Sequence, residues 1–66
     1  MNILKARIET DKGLRDGYII LSKVVAFREH MYDANRTVVF ANNQMFEVYM
    51  SFRNFENAML EYYEQD

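Results

Sequence analysis

The apolar residues of this chain change their period at residue 50, and no single secondary-structure element can absorb both patterns. From Thr37 to Met50 the sequence TVVFANNQMFEVYM reads as two β-rich runs around the polar segment Asn42-Asn43-Gln44. From Ser51 onward, SFRNFENAMLEYY places Phe52, Phe55, Met59, Tyr62 and Tyr63 at helical spacing, with Arg53, Glu56, Glu61 and Glu64 mostly on the opposite side. Ser51 stands where a helix wants its N-cap, since its hydroxyl accepts from an otherwise orphaned backbone N–H. The spacing therefore predicts a hairpin crossed by a helix over about residues 52–64. With a turn at residues 42–44, Val38 and Phe40 share a face with Phe46, Val48 and Met50. Thr37, Val39, Ala41, Met45, Glu47 and Tyr49 take the other. Phe40, Phe46, Phe55 and Met59 are the expected core.

The first half is less regular. Leu4, Ala6 and Ile8 alternate with Ile3, Lys5, Arg7 and Glu9, which predicts a half-buried strand. Asp11-Lys12-Gly13 and Asp16-Gly17 carry turn chemistry. Tyr18 to Leu21 is a short β-rich run, lightly broken at Ser22-Lys23. Val24 to Met31 then resumes in extended form, but Val24-Val25-Ala26-Phe27 does not alternate and suggests a bulge. Asp33-Ala34-Asn35-Arg36 reads as a turn. The expectation is one α+β domain over residues 1–66: strands within 2–50 forming a three- or four-stranded antiparallel sheet, and one C-terminal amphipathic helix packed on one face. Whether the first strand lies at the edge or the centre is open.

At 66 residues, such a domain buries only roughly 60% of the surface its unfolded chain exposes, and chains this small lean on disulfides, metals or association. There is no cysteine and a single histidine, His30, which removes disulfides, thiolate chemistry and His- or Cys-rich metal sites. Association is left, and half the residues are hydrophobic, including five each of Phe, Tyr and Met. No apolar run approaches the ~20 residues of a membrane span, and the start, MNILKARIET, lacks a signal peptide's apolar block. A soluble, cytoplasmic protein is expected.

Net charge is −2 but unevenly placed. Residues 1–36 hold seven basic groups against five acidic ones; residues 37–66 hold Arg53 against Glu47, Glu56, Glu61, Glu64 and Asp66. The plain reading is a solvated acidic helix beside a mildly basic sheet. The sharper one is two faces of opposite sign that orient a partner or a second copy.

Catalysis needs a nucleophile, base or metal in fixed geometry, and the sequence offers none. His30 and Glu29 are strand neighbours that point apart, Ser51 is a cap, and Gly13 and Gly17 form no phosphate loop. No enzyme activity and no cofactor or metal is expected. One helix covers one sheet face, so Val39, Ala41, Met45 and Tyr49, joined by Ile3, are left as an apolar second face. Clustered apolar surface marks an interface. Val39, Met45, Tyr49 and Ile3 are the expected protein-contact residues of a homo-oligomeric interaction or regulatory module, one that meets itself and another protein. The alternative is a small nucleic-acid-binding regulator, acting mainly as a dimer, with Lys5, Arg7, Arg28 and Arg36 on phosphates and Tyr18 and Tyr32 as stacking platforms. The pI of about 5.3 weighs against it.

The stretch LSKVVAFREHMYDANRTVVFANNQMFEVYMSFRNFENAML, Leu21–Leu60, resembles small bacterial proteins of the FlbD type, associated with flagellar operons. Those run through a strand, a short hydrophobic segment, a hairpin with a polar turn and a Ser-initiated amphipathic helix. It is also similar to the first half of LytTR-type DNA-binding domains. The resemblance rests on hydrophobic spacing plus MSFRNFENAM after a strand, and it implies the same order of elements. The LytTR half that carries much of the DNA contact has no counterpart, so no functional residue carries over. An acidic, cysteine-free chain equally suits a phage or mobile-element protein that regulates a host protein.

Overall fold

In a computed structural model the protein is described over residues 2–64; Met1, Gln65 and Asp66, the last an acid in the charge count above, lie outside. The fold is α+β, five antiparallel strands and one C-terminal helix, one strand more than the upper expectation. The strands are β1 (Ile3–Thr10), β2 (Gly13–Ile20), β3 (Val24–Glu29), β4 (Thr37–Ala41) and β5 (Gln44–Val48), followed by α1 (Phe52–Glu64). Their spatial order is β2-β1-β5-β4-β3. Of β2 the sequence suggests only the short run from Tyr18; the strand extends back to Gly13, through the Asp16-Gly17 pair that reads as a turn. Only Asp11-Lys12 turns the chain, and Gly13 follows at φ 94°, a tight turn closed by a left-handed glycine. The Thr10 hydroxyl accepts from the Lys12 N–H at 3.1 Å and donates to the Gly13 carbonyl at 2.7 Å. Gly17 instead lies inside β2 opposite Ala6. A Cβ there would come within 2.9 Å of Ile8 Cδ1, so the isoleucine covers the bare backbone.

A single 3-10 turn, Leu21–Lys23, carries the chain from β2 at one sheet edge to β3 at the other. Four strand spacings of a flat sheet cover about 19 Å, whereas the four residue steps from Ile20 to Val24 span at most ~14 Å. The sheet must therefore curl, and residues of both edges, Ile19 and Val24, share one core with Val39, Val48, Phe55 and Met59. The Asn2 carbonyl accepts from Leu21 N–H at 2.7 Å and its side-chain oxygen from Ser22 N–H at 2.8 Å, which locks the 3-10 turn to the start of β1. In β3 the register slips between Val24 and Ala26, leaving Val25 bulged and exposed.

The β4–β5 hairpin overturns the expected face assignment. Its turn is Asn42-Asn43 alone, both left-handed at φ 51° and 62°, and Gln44 pairs with Ala41 as the first residue of β5. A two-residue loop in which both residues take positive φ is the type I′ turn that matches sheet twist. Odd positions of β4 therefore face even positions of β5: Val39 sits opposite Phe46 and Thr37 opposite Val48, whereas Val38 and Phe40 sit opposite Glu47 and Met45. Since side chains alternate faces, a one-residue change in turn length moves a whole strand's set across the sheet. Val39 is thus core, with no exposed surface, and Phe40 belongs to the face away from the helix.

The helix lies on the inner face. Ser51 Oγ accepts from Asn54 N–H at 3.2 Å, and Phe55 N–H donates to the Ser51 carbonyl at 3.0 Å. Phe55 and Met59 are buried among Ala6, Ile19, Leu21, Val24, Val39 and Val48, with Leu4, Ile8, Phe27, Phe46, Met50 and Tyr62 packed around them. Phe27 meets Phe55 edge-on at 5.1 Å between ring centroids and Phe52 at 5.5 Å. The buried Thr37 hydroxyl donates to the Met50 carbonyl at 2.8 Å, so the one polar core residue among those described is satisfied.

Candidate contact surface on the outer sheet face

The outer face is organised by the narrowest join in the sheet. Strands β1 and β5 share one ladder position, Ile8 opposite Val48, extended by a 2.8 Å bond from Tyr49 N–H to the Arg7 carbonyl. One residue along from that pair, strand geometry sets Glu9 and Glu47 side by side on the outer face, like charges that repel. Arg36 resolves the conflict. Its Nη1 lies 2.7 Å from Glu9 Oε1 and 3.1 Å from Glu47 Oε1, and its Nε 3.1 Å from Asp33 Oδ2. The hydrogen bond to Glu9 chiefly raises the guanidinium pKa above its ordinary value, helped by Glu47 and opposed by desolvation. Arg36 thus clamps the two halves of the sheet at their weakest seam.

The segment that carries Arg36 is itself built by side chains. His30 Nδ1 accepts from the N–H groups of Tyr32 and Asp33 at 3.1 and 3.0 Å, which leaves the ring proton on Nε2, 3.3 Å from Glu47 Oε1. Asp33 Oδ1 accepts from Asn35 N–H at 2.9 Å. This ordered segment folds over Val38 and buries it although Val38 points away from the helix. A cleft of about 150 Å³ between them is lined by Arg28, His30, Met31, Tyr32, Val38, Met45 and Glu47.

Two apolar patches flank the ionic belt. At one end Ile3 faces Ile20 and Lys5 faces Tyr18, with Tyr49 beside Arg7; Ile3 is 50% and Tyr49 46% exposed. At the other end are Met45 at 57% and the loop residues Met31 and Tyr32, the latter 89% exposed. Arg28 stands 6.0 Å over the half-buried Phe40 ring in the same region.

Of the expected contact residues, Ile3, Met45 and Tyr49 lie on this face, but the structure does not gather them. The β1–β5 register puts Ile3 and Met45 eight residue steps apart along the strands, about 26 Å. Val39 offers no surface at all. The four cations are also dispersed. Arg36 is consumed by its carboxylates, Arg7 lies 3.7 Å from Asp16, and Lys5 and Arg28 sit on β1 and β3, three strands apart. Tyr18 and Tyr32 stand at opposite ends of the face. No group of three or more His, Cys, Asp or Glu among the described residues is placed to hold a metal ion, and none of their helices is long and apolar enough to cross a membrane. The long-range half of the Arg36 clamp and the His30–Glu47 contact escape sequence reading, because Glu9 and Glu47 become partners only through the strand order, whereas Asp33 lies within the turn read at 33–36. No family model matches the chain, and neither a curated protein nor a solved structure does.

Proposed function

We propose that this chain is a non-catalytic interaction or regulatory module that works as a homo-oligomer and presents its outer sheet face to protein partners. One observation carries the reading. The charges at the middle of that face are paired with one another, while large apolar side chains on both flanks, Ile3, Tyr18, Ile20 and Tyr49 on one and Met31, Tyr32 and Met45 on the other, stay exposed. Tyr, Met and Arg around apolar ground are the residues enriched in protein interfaces, and Met adapts to varied partners. The dispersal of Lys5, Arg7, Arg28 and Arg36 leaves no basic stripe for a phosphate backbone.

The test is Tyr49→Glu, read by mass in solution and by circular dichroism. Association is expected to weaken about tenfold or more, as for loss of an interfacial tyrosine, with an unchanged spectrum. Association equal to wild type by a folded Tyr49→Glu protein would contradict the assignment.

A further inference from the structure

Two exposed surfaces of this molecule complement each other in charge and meet at one corner. The first is the sheet patch of Ile3, Lys5, Tyr18 and Ile20, two neighbouring same-face register pairs of β1 and β2. Lys5 is exposed and makes no ion pair among the described residues, and Lys23, also exposed, follows Ile20 on the 3-10 turn. The anchoring of Leu21 and Ser22 on Asn2 holds this patch in shape. The second surface is the outward side of α1. Leu60 is 54% exposed there, with Glu56 and Glu64 one turn to either side and Glu61 adjacent. None of these carboxylates has an ion partner among the described residues. A groove lined by Ile3, Leu4, Leu21, Ala58, Glu61 and Tyr62 joins the two surfaces.

We infer that a second copy of this chain covers this corner in a two-fold dimer, the Lys5 patch of each protomer resting on the Leu60 surface of the other. Each half supplies an apolar centre, flanked by Lys5 and Lys23 on the sheet and by Glu56, Glu61 and Glu64 on the helix, which also carries Arg53 two turns before Leu60. Setting sheet patch against sheet patch would instead oppose lysine with lysine, a like-charge arrangement that interfaces avoid. Because the two surfaces adjoin on one corner, a two-fold axis lets both contacts form together and closes the assembly at two. The inference rests on the homo-oligomeric reading and specifies which end of the outer face serves it. The Met45–Tyr32 end is left open to a different protein.

The experiment uses Lys5→Glu and Glu61→Lys, alone and mixed in equal amounts, by native mass spectrometry and sedimentation. Circular dichroism confirms the fold, and Leu60→Asp serves as a second helix-side variant. Each single variant is expected to raise the dimer dissociation constant roughly tenfold, because both symmetric contacts then oppose like charges. In the mixture, the introduced glutamate of one variant meets the introduced lysine of the other, and the second contact keeps its native Lys5 and Glu61. One-to-one heterodimers should therefore return at near wild-type strength. Wild-type dimers with unaffected Lys5→Glu, Glu61→Lys and Leu60→Asp would overturn this arrangement but leave outer-face association standing. Failure of the mixture to restore pairing, or growth beyond two copies, would also overturn it. A wild-type chain that stays monomeric would remove both readings.

Discussion

Arg36 stands between two carboxylates that the fold itself brings together. Arg36→Met is expected to lower the thermal midpoint at neutral pH, and adding Glu9→Gln should recover part of the loss by removing one member of the opposed pair. Strictly additive effects in that double-mutant cycle would show that the clamp does not couple β1 to β5. The sign of its pH dependence follows from the raised guanidinium pKa. A group whose folded pKa is raised stabilises fully below its unfolded value and loses that effect only as pH climbs through the folded one. An arginine ordinarily keeps its charge well above neutral pH and Arg36 is shifted further up, so no working pH discharges the clamp from its cationic side. Phe55 and Val39 carry the complementary test of the core. Phe55→Ala should cost about 3–5 kcal/mol, against a total of roughly 3–10 kcal/mol for a domain of this size. Val39→Ala should cost about 2 kcal/mol for its two buried methyl groups and leave assembly of the folded fraction unchanged. Near-native stability of either would show the core misassigned. Phe55, Met59 and the Ser51 cap are legible in sequence because helical spacing depends only on local order. The bridging role of Arg36 is not, since Glu47 and Glu9 lie eleven and twenty-seven residues away and are chosen by strand order.

At the scale of elements, one residue of turn length decides which half of a hairpin is core. The segment Asn42-Asn43-Gln44 is uniformly polar, and polarity alone does not separate a two-residue loop from a three-residue one. The deciding property is tolerance of positive φ, which Asn has well above most residues, and both asparagines use it. Asn43→Gly should therefore raise the thermal midpoint, glycine being the favoured second residue of such a turn, while Asn43→Val should cost about 1–2 kcal/mol. If both leave the midpoint unchanged, the turn is not left-handed and the register argument fails. The N-terminal hairpin hid itself differently. Asp16-Gly17 has the composition of a turn, yet Gly17 serves a strand by making room for Ile8. Helix and hairpin were readable as element types; strand count and facing depended on backbone conformations that these short polar dipeptides leave undetermined.

For the whole molecule, the decisive asymmetry is between two sheet faces. The inner one is closed by α1 and both sheet edges, and the outer one is pinned at its centre by Arg36 and left apolar at its flanks. A curled sheet of this size has little further core to gain from its own chain, so added burial must come from another. The most direct measurement is the mass of the wild-type protein by light scattering across a hundredfold dilution. The expected result is a dimer or larger assembly that dissociates toward monomer as the protein is diluted. A constant monomer mass at every concentration would contradict it.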